Sequence, residues 1–332
     1  MYPHVRPFPF RRIRSSRLFL ALALAPIAIA DAAPLTGGDI LVTRQNAHQL
    51  VEFTTGGSAV QTFGIPSPGG ATETLRDVVV GPNGAVQLYN GTFSPVVTTL
   101  TPTTGATADR TASGFGTFNN GSYGGIGALG SYVYATSQTS QQGIVRFGLA
   151  DNSSTFFGTA SGYQDLTIGG NGLLYALPST NSRIDVFDPS TLTLTRSIAL
   201  NSTLTNADLR GLAVNTDGKI YAAGWNGSLY ALDTNGNILN SRATGFNNLN
   251  DIDIDSTGRL VAGSRFGNVV LTTTSLATQT SFTDSSGGNI FVAFTSPLAI
   301  TAVPEPGSIL YGVGVFGIVG LGMFQRRRRS TE

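Results

Sequence analysis

Short apolar runs alternate with turns rich in Gly, Asn and Asp from residue 34 to residue 302. The clearest runs are Leu75 to Val80 and Leu209 to Val214, followed at once by Gly-Pro-Asn-Gly and Asn-Thr-Asp-Gly respectively. A second apolar run that carries tyrosine comes after each turn. Apolar runs of this length, joined by turns that tolerate positive φ, predict antiparallel β-hairpins. No helical periodicity is present in this region.

The hairpin pattern repeats about every forty residues. The intervals between copies are 48, 40, 46 and 40 residues when one common position is followed through the chain. That position is held by Asp77, Gly125, Asp165, Gly211 and Asp251. A period in this range, with strands and Gly-rich turns, is typical of a β-propeller in which each repeat supplies one four-stranded blade. The body is therefore predicted to be all-β.

The two ends of the repeat array complement each other. The run at 289–294 is an isolated first strand, whereas 39–43, 49–53 and 59–63 are three strands without a first one. Joining them gives a six-bladed β-propeller closed by both termini, which leaves no unpaired inner edge. A seven-bladed ring is the alternative, because the long interval between Asp77 and Gly125 has room for a degenerate strand pair.

The predicted blades resemble those of NHL-type and streptogramin-lyase-like propellers, most visibly from Leu209 to Asn240. The stretch from Ser228 to Asp233 also resembles a quinoprotein-type blade. These likenesses rest on residues that pack blades together in many unrelated propellers. They imply a fold and leave the function open.

The last thirty residues contain three segments with different physical properties. They are the motif Val303, Pro304, Glu305 and Pro306, an apolar glycine-rich run from Ile309 to Phe324, and the basic group Arg326, Arg327, Arg328 and Arg329. At about 1.5 Å per residue, a helix over 309–324 nearly crosses the hydrocarbon core of a bilayer. The arginines would hold its far end in the cytoplasm.

Together these segments resemble the PEP-CTERM sorting signal of Gram-negative bacteria. The resemblance implies that the membrane protease exosortase recognises the tail and cuts it near the Pro-Glu-Pro motif. The two prolines fix φ and remove backbone donors, so this motif stays extended and accessible to a protease. An ordinary C-terminal membrane anchor is the alternative interpretation of the helix and its arginines.

The beginning of the chain has the layout of a secretory signal peptide. A basic stretch precedes an apolar run from Leu18 to Ala30, and small residues follow, with cleavage expected after Ala30 or Ala32. The domain prediction is therefore a signal peptide with a signal helix at 1–32, a propeller at 34–302, and a sorting signal at 303–332. The secretion translocon and exosortase are the expected partners. The precursor is expected in the inner membrane through a single-pass segment, and the product in the cell envelope or outside the cell.

Charge and cysteine content restrict the function of the body. Residues 34–302 contain eleven Lys and Arg against sixteen Asp and Glu, although the whole chain has a formal net charge of +1. A mildly acidic surface offers no basic patch for a phosphate backbone, so no nucleic-acid partner is expected. The chain has no cysteine, which excludes disulfides and thiol chemistry.

Two sets of aspartates are candidates for a site. Asp251, Asp253 and Asp255 alternate with apolar residues, so a strand would present all three carboxylates on one face, where calcium is a candidate ligand. The alternative places Asp251 on an inner strand and Asp255 in the following turn. Asp77, Asp165 and Asp251 share one position in three blades, and they either ring a mouth of the central channel as a ligand site or bond amides of neighbouring inner strands.

Aromatic and histidine residues add one further candidate. Trp225, beside an Asn-Gly pair, is either an exposed indole that stacks on a sugar ring or a half-buried blade residue. His48 is the single histidine of the body, and no catalytic constellation and no cofactor beyond calcium is predicted.

Two functional hypotheses follow. The first is an exported cell-surface or matrix propeller, processed by exosortase, with a binding or structural role linked to exopolysaccharide in a biofilm. The second is a metal-dependent enzyme of lactonase or lyase type that acts on matrix polysaccharide, with the aspartate ring as its metal site.

Overall fold

The computed structural model describes residues 32–67, 75–90, 96–112, 124–136, 143–159, 162–296 and 300. The predicted sorting motif at 303–306, the predicted membrane helix at 309–324 and the arginines at 326–329 lie outside the described residues. So does the predicted signal peptide, except for its last residue. In the described part of the chain, no helix has the length and apolar character that crossing a membrane requires.

Within these residues, the strands form six antiparallel sheets of four strands each, which we number as blades. Blade 6 contains β1 (Ile40–Arg44), β2 (Gln49–Phe53), β3 (Ala59–Gly64) and β24 (Val292–Phe294). Blade 1 contains β4 (Leu75–Val80), β5 (Val86–Asn90), β6 (Val96–Thr101) and β7 (Ala106–Arg110). Blade 2 contains β8 (Ile126–Leu129), β9 (Tyr132–Thr136), β10 (Ile144–Gly148) and β11 (Ser154–Phe157).

The remaining three blades come next in the sequence. Blade 3 contains β12 (Tyr163–Ile168), β13 (Leu174–Pro178), β14 (Arg183–Asp188) and β15 (Thr193–Ala199). Blade 4 contains β16 (Leu209–Val214), β17 (Ile220–Gly224), β18 (Ser228–Leu232) and β19 (Ile238–Ala243). Blade 5 contains β20 (Leu249–Ile254), β21 (Arg259–Ser264), β22 (Asn268–Thr273) and β23 (Gln279–Thr283).

The first strands of the blades contact one another in a closed ring. The order of contact is β4, β8, β12, β16, β20 and β24, and β24 in turn contacts β4. This arrangement is a six-bladed β-propeller, as predicted. The seven-bladed alternative is wrong, because β4 and β8 touch directly and leave no place between them for another blade.

The ring closes through the last strand, as the two ends of the repeat array predicted. β24 pairs antiparallel with β1, so that Phe294 lies opposite Ile40 and Val292 lies opposite Val42. The strand is shorter than the predicted run at 289–294. Of the preceding residues, Ile290 bonds to blade 5, because its N–H donates to the carbonyl of Ser264 at 3.3 Å. Phe291 still bonds to β1: its N–H donates to the Thr43 hydroxyl at 2.9 Å, and its carbonyl accepts the Thr43 N–H at 2.9 Å.

The hydrophobic core lies between the faces of neighbouring blades. Six clusters of buried side chains occur among the described residues, one at each blade interface. Between blades 3 and 4, for example, Tyr175 and Val186 share a cluster with Leu212 and Ile220. Each aliphatic side chain buried in this way contributes about 1.5–3 kcal/mol, so the blade interfaces hold the ring together.

Two short helical segments interrupt the strands of the described residues: a 3-10 turn, Gln45–Ala47, follows β1, and an α-helix, α1 (Ser202–Ala207), joins β15 to β16. Helix α1 was not predicted, since six residues are too few to show helical periodicity. Its first turn is capped by Asn201, whose side chain accepts the Leu204 N–H at 3.0 Å. Leu204 itself is buried in the interface between blades 3 and 4.

Candidate functional site

The two ends of the ring differ, and we call one of them the upper face. It is the end at which the first strand of a blade begins and the second strand ends, because the two strands are antiparallel. In blade 4, Leu209 pairs with Gly224 at this end, and in blade 5, Leu249 pairs with Ser264. The turns between the second and third strands also lie on the upper face.

A β-bulge near the start of the first strand brings polar side chains to the upper face. In blades 1, 3, 4 and 5, the register with the second strand shifts by one residue immediately before the common position of the repeat. The bulged residues are Arg76, Gln164, Arg210 and Asn250. Bulges redirect side chains at the ends of sheets. The bulged residue can therefore differ in chemistry from blade to blade, while the rest of the first strand keeps its regular pairing.

Behind the bulges, three carboxylates connect blade to blade. One oxygen of each buried aspartate accepts a backbone N–H from the first strand of the next blade. The bonds run from Ile126 to Asp77 at 2.6 Å, from Leu212 to Asp165 at 2.6 Å, and from Val292 to Asp251 at 2.7 Å. The repeat pattern predicted that these aspartates occupy the same position in their blades. The structure shows that each of them joins its blade to the following one.

The second oxygen of each carboxylate bonds within its own blade. Asp77 accepts the Val78 N–H at 2.7 Å, and Asp251 accepts the Ile252 N–H at 2.7 Å. Asp165 accepts the N–H of the residue that follows it in the same way. Each carboxylate therefore satisfies two buried backbone donors, one on each side of a blade interface.

Glycine holds the same position in blades 2 and 4, because the next blade comes too close for a side chain. A Cβ on Gly125 would lie 2.2 Å from the Leu166 nitrogen, and a Cβ on Gly211 would lie 2.7 Å from the Asp251 Cα. The alternation of Asp and Gly over blades 1 to 5 is therefore a packing rule. The aspartate side chain bonds to the backbone of the next blade. Glycine has no side chain, so the next blade, which has an aspartate at this position, can pack against it.

Burial changes the acidity of these groups. It raises the pKa of Asp77 and of Asp165 well above the usual value, and it raises the pKa of Asp251 to about 7. At Asp77, the negative charges of Asp251 and Asp165 raise the pKa further, while the backbone N–H donors lower it. The three carboxyl groups therefore interact electrostatically across the inner ring.

Asp253 and Asp255, the other carboxylates considered for calcium, have different environments. Asp253 lies two residues after Asp251 in β20 and accepts N–H groups from Ile254 and Phe294, each at 2.8 Å. Burial raises its pKa to about 6. Asp255 lies in the next turn and pairs with Arg259 at 2.6 Å. Burial raises its pKa, but the bonds from the Arg259 N–H and from Thr257 outweigh that effect and lower the pKa overall.

The distribution of acidic groups bears on metal binding. Across the described ranges, no three or more His, Asp or Glu side chains converge as the ligands of a metal ion would. Asp251 and Asp253 both reach β24, whereas Asp255 turns away from them toward Arg259.

Trp225 lies at the seam between blades 4 and 5 on the upper face, partly buried. The guanidinium carbon of Arg210 lies 5.3 Å from the centroid of the indole, and that of Arg265 lies 5.9 Å from it. Sequence reasoning singled out the tryptophan but missed both arginines. The repeat length was the available signal, because Arg265 follows Trp225 by the same 40 residues that separate Gly211 from Asp251.

At the upper face, several side-chain amides have an oxygen that accepts no hydrogen bond from any described residue. They are Asn90, Gln164, Asn181 and Asn250, which are between 0% and 5% exposed. Buried acceptors in native proteins are nearly always satisfied, so each such oxygen indicates a donor beyond the described residues, of which an ordered water is the simplest. A groove of about 420 Å³ lies on the opposite face between blades 6 and 1, and its lining has no charged side chain.

The ring and its bridging aspartates define the class of this protein as a six-bladed β-propeller. No model of a protein family matches the sequence, and no curated protein matches it in sequence. Solved structures resemble it. One is streptogramin B lyase, with 16% identity and a TM-score of 0.55 over 81% of this chain and 93% of that one.

Two other structures show the same likeness. A virginiamycin B lyase from Staphylococcus aureus has 17% identity and a TM-score of 0.50, over 72% of this chain and 76% of that one. A nidogen/laminin complex has 10% identity and a TM-score of 0.60, over 78% of this chain and 100% of the matched chain. At these identities, the likeness establishes the fold alone. The resemblance of the body to streptogramin-lyase-like propellers is confirmed to that extent.

Proposed function

We propose that this chain is an exported propeller that acts at the cell surface or in the extracellular matrix as a non-catalytic binding protein for exopolysaccharide. The observation that carries this proposal is the set of buried amide oxygens on the upper face. An amide oxygen accepts a hydrogen bond but has no acid–base chemistry near neutral pH. Sugar hydroxyls are donors of the kind that such oxygens take.

The inner aspartates support binding rather than catalysis. Asp77, Asp165 and Asp251 each accept two backbone N–H groups, one of them from the next blade. A carboxylate occupied in this way holds the ring together, and it would have to break that contact to act as a base or as a metal ligand. The proposal therefore gives these residues a structural role and leaves calcium out of the site.

Export and delivery rest on the sequence of the two ends. The basic and apolar segments at 1–32 are those of a signal peptide, and the segments at 303–332 resemble the PEP-CTERM signal. In this proposal the propeller folds outside the inner membrane, and exosortase then removes the membrane helix. The mature protein remains in the envelope or the matrix.

Processing is tested in a host that carries exosortase. We expect the intact mass of the recovered protein to lack the helix at 309–324, and we expect deletion of the protease to restore it. Pro304→Ala together with Glu305→Gln should block the cut by at least about tenfold, whereas the matched change Pro297→Ala, outside the motif, should leave it unchanged. Recovery of an intact tail from the inner membrane of the exosortase-bearing host would favour a permanent anchor.

Binding is tested with an array of bacterial polysaccharides and the purified full-length chain. We expect saturable binding that Gln164→Ala and Asn250→Ala each weaken by about five- to tenfold, since a buried hydrogen bond contributes about 1 kcal/mol. Asn235→Ala is the control, because it removes an exposed amide from the opposite face. Release of new reducing or unsaturated ends during the incubation would instead support the lyase or lactonase hypothesis.

A further inference from the structure

We infer that the seam between blades 4 and 5 on the upper face is a subsite for the carboxylate of an acidic sugar. This inference rests on the proposed binding of polysaccharide and specifies its chemical class. The residues that form the subsite are Arg210, Trp225, Arg265 and Phe266. They come from the first-strand bulge of blade 4 and from the turns after the second strands of blades 4 and 5.

The backbone fixes this seam before any ligand arrives. The Trp225 N–H donates to the Asp208 carbonyl at 3.0 Å, and the Trp225 carbonyl accepts the Asn248 N–H at 2.9 Å. The Asn248 carbonyl accepts the Arg265 N–H at 2.8 Å. These bonds join the two turns across the blade interface. The indole and the two guanidinium groups are therefore presented by a rigid frame, which reduces the conformational entropy lost on binding.

The charges at the seam do not balance. Arg210 pairs with Asp208, which also accepts a bond from Asn181 at 3.2 Å. Arg265 forms no ion pair within the described residues, and its side chain is exposed. Asp251, the acidic group behind the bulge of blade 5, already accepts two backbone N–H bonds. One positive charge is thus left at a seam of an otherwise acidic body.

Two guanidinium groups over one indole are suited to a planar anion. Cation–π attraction holds both guanidinium groups at the ring, and the exposed Arg265 presents N–H donors at its edge to a ligand. Guanidinium groups bind carboxylates through two parallel N–H bonds. The indole therefore acts here by positioning arginines, which differs from the sugar-stacking role that the sequence suggested for Trp225.

A neighbouring aromatic ring extends the specificity from an anion to a sugar acid. Phe266 follows Arg265 in the same turn, and 58% of its surface is exposed. An exposed ring of this kind covers the apolar C–H face of a pyranose. Sulfate or phosphate would use the arginines but not this aromatic ring.

The test compares two matched probes on the purified full-length chain by calorimetry: a galacturonic acid hexamer and a neutral galactose hexamer. We expect the acidic hexamer to bind at least about tenfold more tightly. Arg265→Gln should remove that preference and leave the affinity for the neutral hexamer unchanged. Lys219→Gln, which removes one exposed positive charge from the opposite face, should have no effect on either probe.

Additional variants separate charge from geometry. Arg265→Lys keeps the charge but loses the bidentate donors, so we expect an intermediate affinity for the acidic hexamer. Phe266→Ser should weaken both hexamers to a similar degree. Both residues are exposed, so the thermal unfolding of each variant should match that of the parent chain.

Four outcomes would overturn the inference. Equal affinity for the two hexamers, with no effect of Arg265→Gln, would refute the carboxylate subsite while leaving polysaccharide binding intact. Competition by inorganic sulfate or phosphate as strong as that by galacturonate would show a general anion site. Loss of the acidic preference in Lys219→Gln would place it elsewhere on the ring. Failure of both hexamers and of the whole polysaccharide array would refute the proposed function together with the subsite.

Discussion

Gly211→Ala is expected to lower the free energy of unfolding by about 3 kcal/mol, the upper part of the range for overpacking a well-packed interior. The new methyl group would lie 2.7 Å from the Asp251 Cα and 2.8 Å from the Ile252 nitrogen. Both are backbone atoms of β20, so no side chain can rotate to make room. Blades 4 and 5 would have to separate, and the bond of Asp165 to Leu212 beside the glycine would be strained.

Urea denaturation measures this change, with fluorescence as the probe. The chain has one tryptophan, Trp225, and it lies at the seam that the substitution would open. The matched control is Gly64→Ala, since a Cβ at that strand end meets nothing within 4 Å. We expect the control to change stability by less than about 0.5 kcal/mol. A similarly small effect of Gly211→Ala would show that the blade interface relaxes freely, contrary to the packing rule.

Stability is expected to fall as the pH rises from about 4.5 to about 7.5. An aspartate with a raised pKa in the folded state binds a proton there after the unfolded chain has lost it. The folded state then binds more protons, so the free energy of unfolding decreases with pH. Asp251 and Asp253, with pKa values of about 7 and about 6, define the upper end of this window. Each contributes a slope of at most about 1.4 kcal/mol per pH unit.

Other carboxylates set the lower limit of that window. The pKa of Asp185 is lowered by bonds from Arg183, Ser197 and Thr159, which outweigh its burial. The pKa of Asp284 is lowered by Arg44 and Ser286 in the same way. Groups of this kind stabilise the fold above about pH 4 and lose that contribution in stronger acid. The two effects together place the maximum of stability at mildly acidic pH.

Calorimetric melting at several pH values checks the expectation. In Asp253→Asn, one titrating group is removed while one side-chain acceptor remains, so the decline between about pH 5 and pH 7.5 should become shallower. The control is Asp217→Asn, on an exposed turn of the opposite face, which should keep the slope of the parent chain. A melting temperature that rises with pH over this window would contradict the assignment of raised pKa values to the inner carboxylates.

The blades could be predicted from the sequence because their chemistry is local. In the turn after β16, the Asn215 side chain accepts the N–H groups of Asp217 and Lys219, at 3.1 and 2.9 Å. Such turns depend on a few adjacent residues, and strand alternation depends on a few more. The sixth blade was predictable by counting strands. The helix α1 was not, since its stability comes from a cap at Asn201 and from burial of Leu204 against other blades.

The site was only partly predictable, because it depends on contacts between repeats. The sequence placed Asp165 and Gly211 at one level of the ring. It did not show that Asp165 would reach Leu212, 47 residues away, or that Gly211 would leave room for the backbone of Asp251. The tilt of one blade against the next decides both contacts. The same holds for Trp225, which is half-buried beneath arginines from its own blade and the next.

The closing strand also has a consequence for the order of folding. The bonds between Thr43 and Phe291 span 248 residues, whereas each of the other five blades forms from one continuous stretch of chain. Those five blades can assemble hairpin by hairpin while the polypeptide is being synthesised. The ring cannot close until β24 has followed them. Until then, the edge of β1 that pairs with β24 has no partner strand, and the carboxylates of Asp251 and Asp253 lack the N–H donors of Val292 and Phe294. The nascent molecule is therefore most vulnerable to misassembly and proteolysis until β24 has been made and has paired with β1.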